Sequence, residues 1–178
     1  MASPSTSPAS GSEHQVFPTL QSTALNGRQV TIPEDCMGRV TLIFIAFQRQ
    51  AQAMIDSWAI SFDAAFGSDS RVLVYEIPMI SGWTGRLMGG MIDAGMRSGI
   101  PAQRHPFVVT FYGKFQEYQD ILEMDDLSSA YLFLLDRRGI IRWRKRGFSD
   151  VKSRDDLLDV TRSLLEEEVE QGTDPEDI

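Results

Sequence analysis

Few residues in this chain are equipped for covalent or metal chemistry. There is one cysteine, Cys36, and there are two histidines, His14 and His105. A lone cysteine excludes an intramolecular disulfide and any metal cage made of cysteines alone. Two histidines are too few for most zinc sites, and His14 falls in a Ser- and Pro-rich N-terminal stretch. No metal and no cofactor is therefore expected. Thiol exchange needs a low-pKa thiolate at a helix start and a second thiol to resolve the mixed disulfide. Cys36 stands before an apolar run instead, between Glu34-Asp35 and Met37, and the two acids raise a thiol pKa. It reads as a small buried apolar residue. Asp93, Asp120 and His105 are types suited to acid–base work, but no spacing ties them together. The chain has neither a Walker-type phosphate loop nor a G-x-S-x-G elbow.

Two surface constellations remain. The first is a strip of six bases, Arg137, Arg138, Arg142, Arg144, Lys145 and Arg146, with no acid among them, in a chain of net charge −8. Arg142, Arg144 and Arg146 could meet anionic lipid headgroups or an acidic partner. The plainer reading is an outer strand whose bases guard it against edge pairing and are neutralised by nearby acids. The second constellation is a Met- and Gly-rich segment from Gly82 to Gly99. Trp83, Met88, Met91 and Met96 suit an adaptable partner surface, with Trp83 as anchor, or equally a loosely packed helix over a sheet. The global acidity and the absence of repeated aromatics beside the bases exclude a general nucleic-acid role.

The elements that must position these residues follow from periodicity. Phe17 to Leu20 reads as a short first strand, and Asn26-Gly27 as a tight hairpin turn into Arg28–Ile32. Val40 to Phe47 is apolar almost throughout, as in a strand covered on both faces. Met54, Ile55, Trp58, Phe62 and Phe66 recur at helical spacing. Arg71–Pro78 is a further buried-type strand, so strand–helix–strand predicts a right-handed parallel crossover. Pro106–Tyr112 reads as a strand and Lys114–Leu122 as a short helix. Tyr131–Leu135, the turn Asp136–Gly139 and Ile140–Arg146 form a second hairpin. Ser153 is placed as the cap of a last helix, with Asp156 three residues on. Residues 1–15 and the acidic 167–178 are expected to be disordered tails around one domain at 16–166. The first fifteen residues contain no Lys or Arg and resemble neither a secretory signal nor a transit peptide.

This order gives an α/β fold, a thioredoxin-like mixed sheet with flanking helices and an N-terminal β-hairpin. Four stretches carry a more specific resemblance. They are Phe17-Pro18 with Leu25-Asn26-Gly27, Val40–Phe47 with Asp56-Ser57-Trp58, Ser98-Gly99-Ile100-Pro101 with Arg104-His105, and Tyr131–Asp136 with Gly139–Trp143 and Gly147. Together they resemble the thioredoxin-like assembly chaperones of mitochondrial ATP synthase. The resemblance implies a protein client, a membrane-protein assembly intermediate; peripheral membrane contact is a separate reading that the basic hairpin carries. The resemblance also implies a soluble protein of the matrix or inner-membrane periphery, or of the cytoplasm for a bacterial relative. Aligned on the apolar strand, the two redox cysteines of active relatives fall at Gln50 and Ala53. Their cis-proline falls at Ala130, where a trans bond is expected because cis costs ~2.5–4 kcal/mol without proline. The reading is thus a non-catalytic protein-binding module. The alternative is a divergent redoxin using Cys36.

Overall fold

The computed structural model describes residues 15–171, apart from the side chains of 83–87 and 168–171. The expected tails fall largely outside those residues, and so does the side chain of Trp83. Seven strands form one sheet in the order β2-β1-β5-β4-β3-β6-β7. The strands are β1 (Leu20–Ala24), β2 (Gln29–Ile32), β3 (Val40–Ala46), β4 (Val72–Ile80), β5 (Val109–Tyr112), β6 (Tyr131–Leu135) and β7 (Ile141–Arg146). The helices are α1 (Gln52–Phe66), α2 (Trp83–Gly99), α3 (Gln116–Leu122) and α4 (Val151–Gln171). Strand β4 runs parallel to β3 and β5, while every other pairing is antiparallel. The mixed sheet, the N-terminal hairpin and the parallel crossover through α1 match the sequence expectation. Gly27, at φ +87°, supplies the left-handed residue of the first turn.

The sheet separates two apolar layers, and β3 feeds both. Ile43 and Ile45 point to one side with Phe17, Cys36, Tyr75, Ile77 and Phe133. Val40, Leu42 and Phe44 point to the other, against Ile55, Trp58 and Phe62 of α1 and Leu157, Leu164 and Leu165 of α4. This is why the sequence of β3 lacks alternation. Each face is covered, so each residue is apolar or, like Thr41, has its hydroxyl bonded to a backbone carbonyl.

Three sequence expectations need correction. Phe17 precedes β1; its N–H donates to Gly139 O at 2.9 Å, and its ring lies edge-on to Phe133. Residues Ala102–Phe107 form a 3₁₀ turn, and β5 begins only at Val109. Pro106 has no N–H to donate to a ladder, which delays the strand. Helix α4 is capped by Asp150 and not by Ser153. Asp150 Oδ1 accepts the Ser153 N–H at 2.9 Å and Ser153 Oγ accepts the Asp150 N–H at 3.2 Å, a reciprocal capping box one turn earlier. Asp156 instead accepts the indole N–H of Trp143 at 2.7 Å.

The second hairpin turn also packs on the Pro33 turn that follows β2. Gly139 adopts φ +76°, and a Cβ there would lie 2.6 Å from Cβ of Pro33. Gly139→Ala combines a left-handed penalty with overpacking and is expected to cost about 3 kcal/mol. Urea unfolding of the purified variant checks this; an unchanged midpoint would show that the Pro33 turn is free to move away.

Candidate functional site

Strand β3 ends at Ala46, and the chain turns through Phe47 and Gln48 into a short 3₁₀ segment, Arg49–Ala51, before α1. Gln50 and Ala53 stand exposed at this junction. The Gln50 side-chain amide hydrogen-bonds that of Gln48. Neither residue can supply a thiolate. The loop before β6 faces the junction, and the contact between them is made by Met54, whose Sδ accepts the Ala130 N–H at 3.4 Å. The Ser129–Ala130 peptide is trans. A thioether thus fills the space between helix and loop; it accepts a weak hydrogen bond but cannot exchange disulfides.

What holds that loop without a proline is Asp126. Its carboxylate accepts from Ser128 N at 2.9 Å, Ser128 Oγ at 2.6 Å and Ser129 Oγ at 2.7 Å. These donors hold the acid at about 2. Beside it, Tyr131 donates its hydroxyl to Asp125 at 3.1 Å and accepts the Asp126 N–H at 2.7 Å. Arg146 closes the network on Asp125 at 2.7 Å.

Cys36 lies across the sheet from the junction, fully buried in the opposite layer. Burial pushes its thiol up to about 11, with Asp35 and Glu34 adding to the rise and a hydrogen bond with Thr41 opposing it. Asp93, Asp120 and His105 do not converge either. Asp93 accepts from Tyr112, Asp120 from the Gln116 amide, and His105 Nε2 meets the Ile100 carbonyl.

The basic strip is divided and engaged. Leu134 pairs with Trp143 and Leu135 with Ile141, so Arg142 is the extra residue of a bulge. Trp143 therefore turns to the α1 and α4 side, where it lies edge-on to Trp58. Arg142 meets Asp136 at 3.2 Å and Glu167 at 3.5 Å. Arg144 meets Glu123 at 2.7 Å and lies over the Phe133 ring. Strand β7 is an edge strand, as a charge-guarded edge requires.

Helix α2 lies elsewhere, two strands away over β4 and β5. Met88 and Met91 are exposed, at 49% and 70%, so they are not packed against the sheet. Met96 is half-buried. The helix is pinned by Tyr112, whose hydroxyl donates to Asp93 at 2.6 Å and approaches the Gly89 carbonyl at 3.1 Å. A Cβ on Gly89 would meet the Tyr112 ring at 3.2 Å, so glycine permits the close approach. The arginine strip and the methionine helix are thus separate surfaces.

Between α1 and α2 the sheet is left partly uncovered, and a cleft of about 900 Å³ opens there. Ile55 and Ala59 line one wall, Ile92 and Met96 the other, and Pro78 and Glu76 the floor. Glu76 escaped sequence analysis, although it is the one charged residue between Val72 and Ile80. Burial raises its carboxyl above the ordinary 4.5, and Asp56 adds to the rise; Arg104 and a hydrogen bond from Gln52 only partly offset this. A folded-state carboxyl with a raised pKa binds more protons than the unfolded chain, so stability falls as pH rises through that window. Glu76→Gln is accordingly expected to raise Tm at neutral pH, the gap over the wild type closing below about pH 4.5. Thermal melts across pH test this, and a pH-independent gap would contradict it.

Comparison with other proteins gives the same architecture. A SCO1/SenC family lipoprotein from Bacillus anthracis superposes with a TM-score of 0.58 at 14% identity, over 86% of this chain and 96% of its own. BsSco, a member of the Sco family of cytochrome c oxidase assembly proteins, gives 0.57 at 13% identity, over 86% and 95%. A putative thiol:disulfide interchange protein DsbE from Chlorobium tepidum gives 0.55 at 15% identity, over 86% and 97%. At such identities the likeness establishes the thioredoxin-like fold and not an activity. No curated protein shows significant similarity to the chain. The family described as ATP10 protein matches residues 4–164, nearly the whole length, and the chain belongs to that family.

Proposed function

We propose that this protein is a non-catalytic assembly chaperone that binds a protein client, a subunit of a membrane complex awaiting incorporation. Membership of the ATP10 family makes ATP synthase the complex of choice. The observation that carries the non-catalytic reading is the junction itself. Gln50 and Ala53 stand where thiols would be needed, and Met54 Sδ fills the contact to Ala130. The one cysteine supports the same reading, since a thiol at about 11 is almost wholly protonated at neutral pH and is closed to solvent.

We assign the client surface to the Met-rich side of α2, with Met88 and Met91 outermost and Trp83 at the helix start. Flexible thioethers suit a surface that must accept irregular apolar segments. The arginines of β7 are the weaker candidate for partner or lipid contact, because Arg142, Arg144 and Arg146 each already meet an acid. Among the described residues no helix is long and apolar enough to cross a membrane.

Two assays check the proposal together. Insulin reduction by the wild type is expected to stay at background and to be unaltered by Cys36→Ser; cysteine-dependent turnover would establish the redoxin alternative. A photo-crosslinker at Met91 is expected to trap ATP synthase subunits or their assembly intermediates in cells. Adducts absent at Met91 while a control position on β7 yields them would move the surface to the basic edge.

A further inference from the structure

We infer that the cleft between α1 and α2 is the docking site for an apolar segment of the client that carries one lysine or arginine, its cation seated against Glu76. This rests on the client-binding reading above and adds to the exposed Met88 and Met91, which do not line the cleft, a second contact with its own chemistry of recognition.

The cleft's shape and lining come first. Ile55, Ala59, Pro78, Ile92 and Met96 give it apolar walls, and Arg49, Asp56, Glu76 and Arg104 are the charged groups that line it. A site of about 900 Å³ has room for several side chains. One wall is adaptable. Helix α2 brings Gly95 and Gly99 to the cleft, and at neither would an added Cβ meet another atom, so there is open space beside this wall. Tyr112 fastens it to β5 through Asp93 and Gly89. Such a wall can re-pack around side chains of differing shape, as a polypeptide ligand requires.

Charge supplies the specificity. Glu76 sits mid-strand on β4, opposite Phe44 of β3, at the centre of the sheet. Arg104 faces it from the 3₁₀ turn and Asp56 from α1, two charges of opposite sign, and Arg49 stands exposed at the mouth. Arg104 acts on Glu76 through space, and the neutral Gln52 amide donates to Asp56 at 3.1 Å. Burial disfavours the bare carboxylate, so an incoming cation would relieve a cost already present in the free protein. An acidic or purely apolar segment would leave that cost in place.

The probe is a dansyl-labelled Leu/Ala/Ser peptide with a single central lysine, paired with the same peptide carrying norleucine there. Wild type is expected to bind the lysine peptide about tenfold more tightly, equivalent to about 1.4 kcal/mol. Glu76→Gln, which thermal melting can certify as folded, should equalise the two affinities. Met96→Trp, which fills the cleft from α2, should abolish both. Equal affinities in the wild type, or discrimination retained in Glu76→Gln, would overturn the inference. If binding survives Met96→Trp but falls with Met91→Glu, the client-binding reading stands and the cleft is not the site. If neither peptide binds and Met91 traps no partner in cells, both fall.

Discussion

Strand β3 has no solvent-facing side, and the rest of the molecule is arranged around that constraint. Seven residues, Val40–Ala46, must be covered above and below, so one strand organises two apolar layers. Burial at about 25 cal/mol per Å² makes such a strand a large contributor to stability. It also fixes geometry: where β3 leaves the sheet sets the start of α1, and its antiparallel pairing with β6 brings Ala130 to that start. A scaffold of this kind keeps a helix start and a loop in register whether or not chemistry is done there.

That explains how the protein can hold the architecture of a redox site while lacking its reagents. In an active site the opposed loop and helix would frame a thiolate. Here the frame is closed by a thioether, and the loop is held by an aspartate bound to two serines. The contact has become packing. Among the apolar surfaces left uncovered are those around α2: the exposed Met88 and Met91, and a cleft whose floor carries an acid. Thin cover over β4 leaves apolar side chains of the cleft open to solvent, and on the proposed reading that is where apolar contacts can be lent to a partner.

Much of this was legible in the sequence because it is written in local pattern. The unbroken apolar run of β3, the helical spacing of Ile55, Trp58 and Phe62, and Asn26-Gly27 each dictate their own conformation. What was not legible depends on tertiary neighbours. Phe17 looks like a strand residue until the Gly139 carbonyl claims its N–H. Ser153 looks like a cap because the Asp150 partner one turn earlier is an equally good one. The arginines of β7 look like one face until the bulge at Arg142 turns Trp143 inward. Glu76 carried a usable signal, a lone acid in a buried-type strand, but the cleft over it is formed only in the fold, where α1 and α2 come together.

The most direct measurement is complementation in cells lacking the native gene, with Cys36→Ser as the sole copy. Full rescue of the assembled membrane complex is expected, because function without thiol chemistry cannot need the one thiol present. A folded, normally expressed Cys36→Ser that fails to restore assembly would contradict the non-catalytic reading.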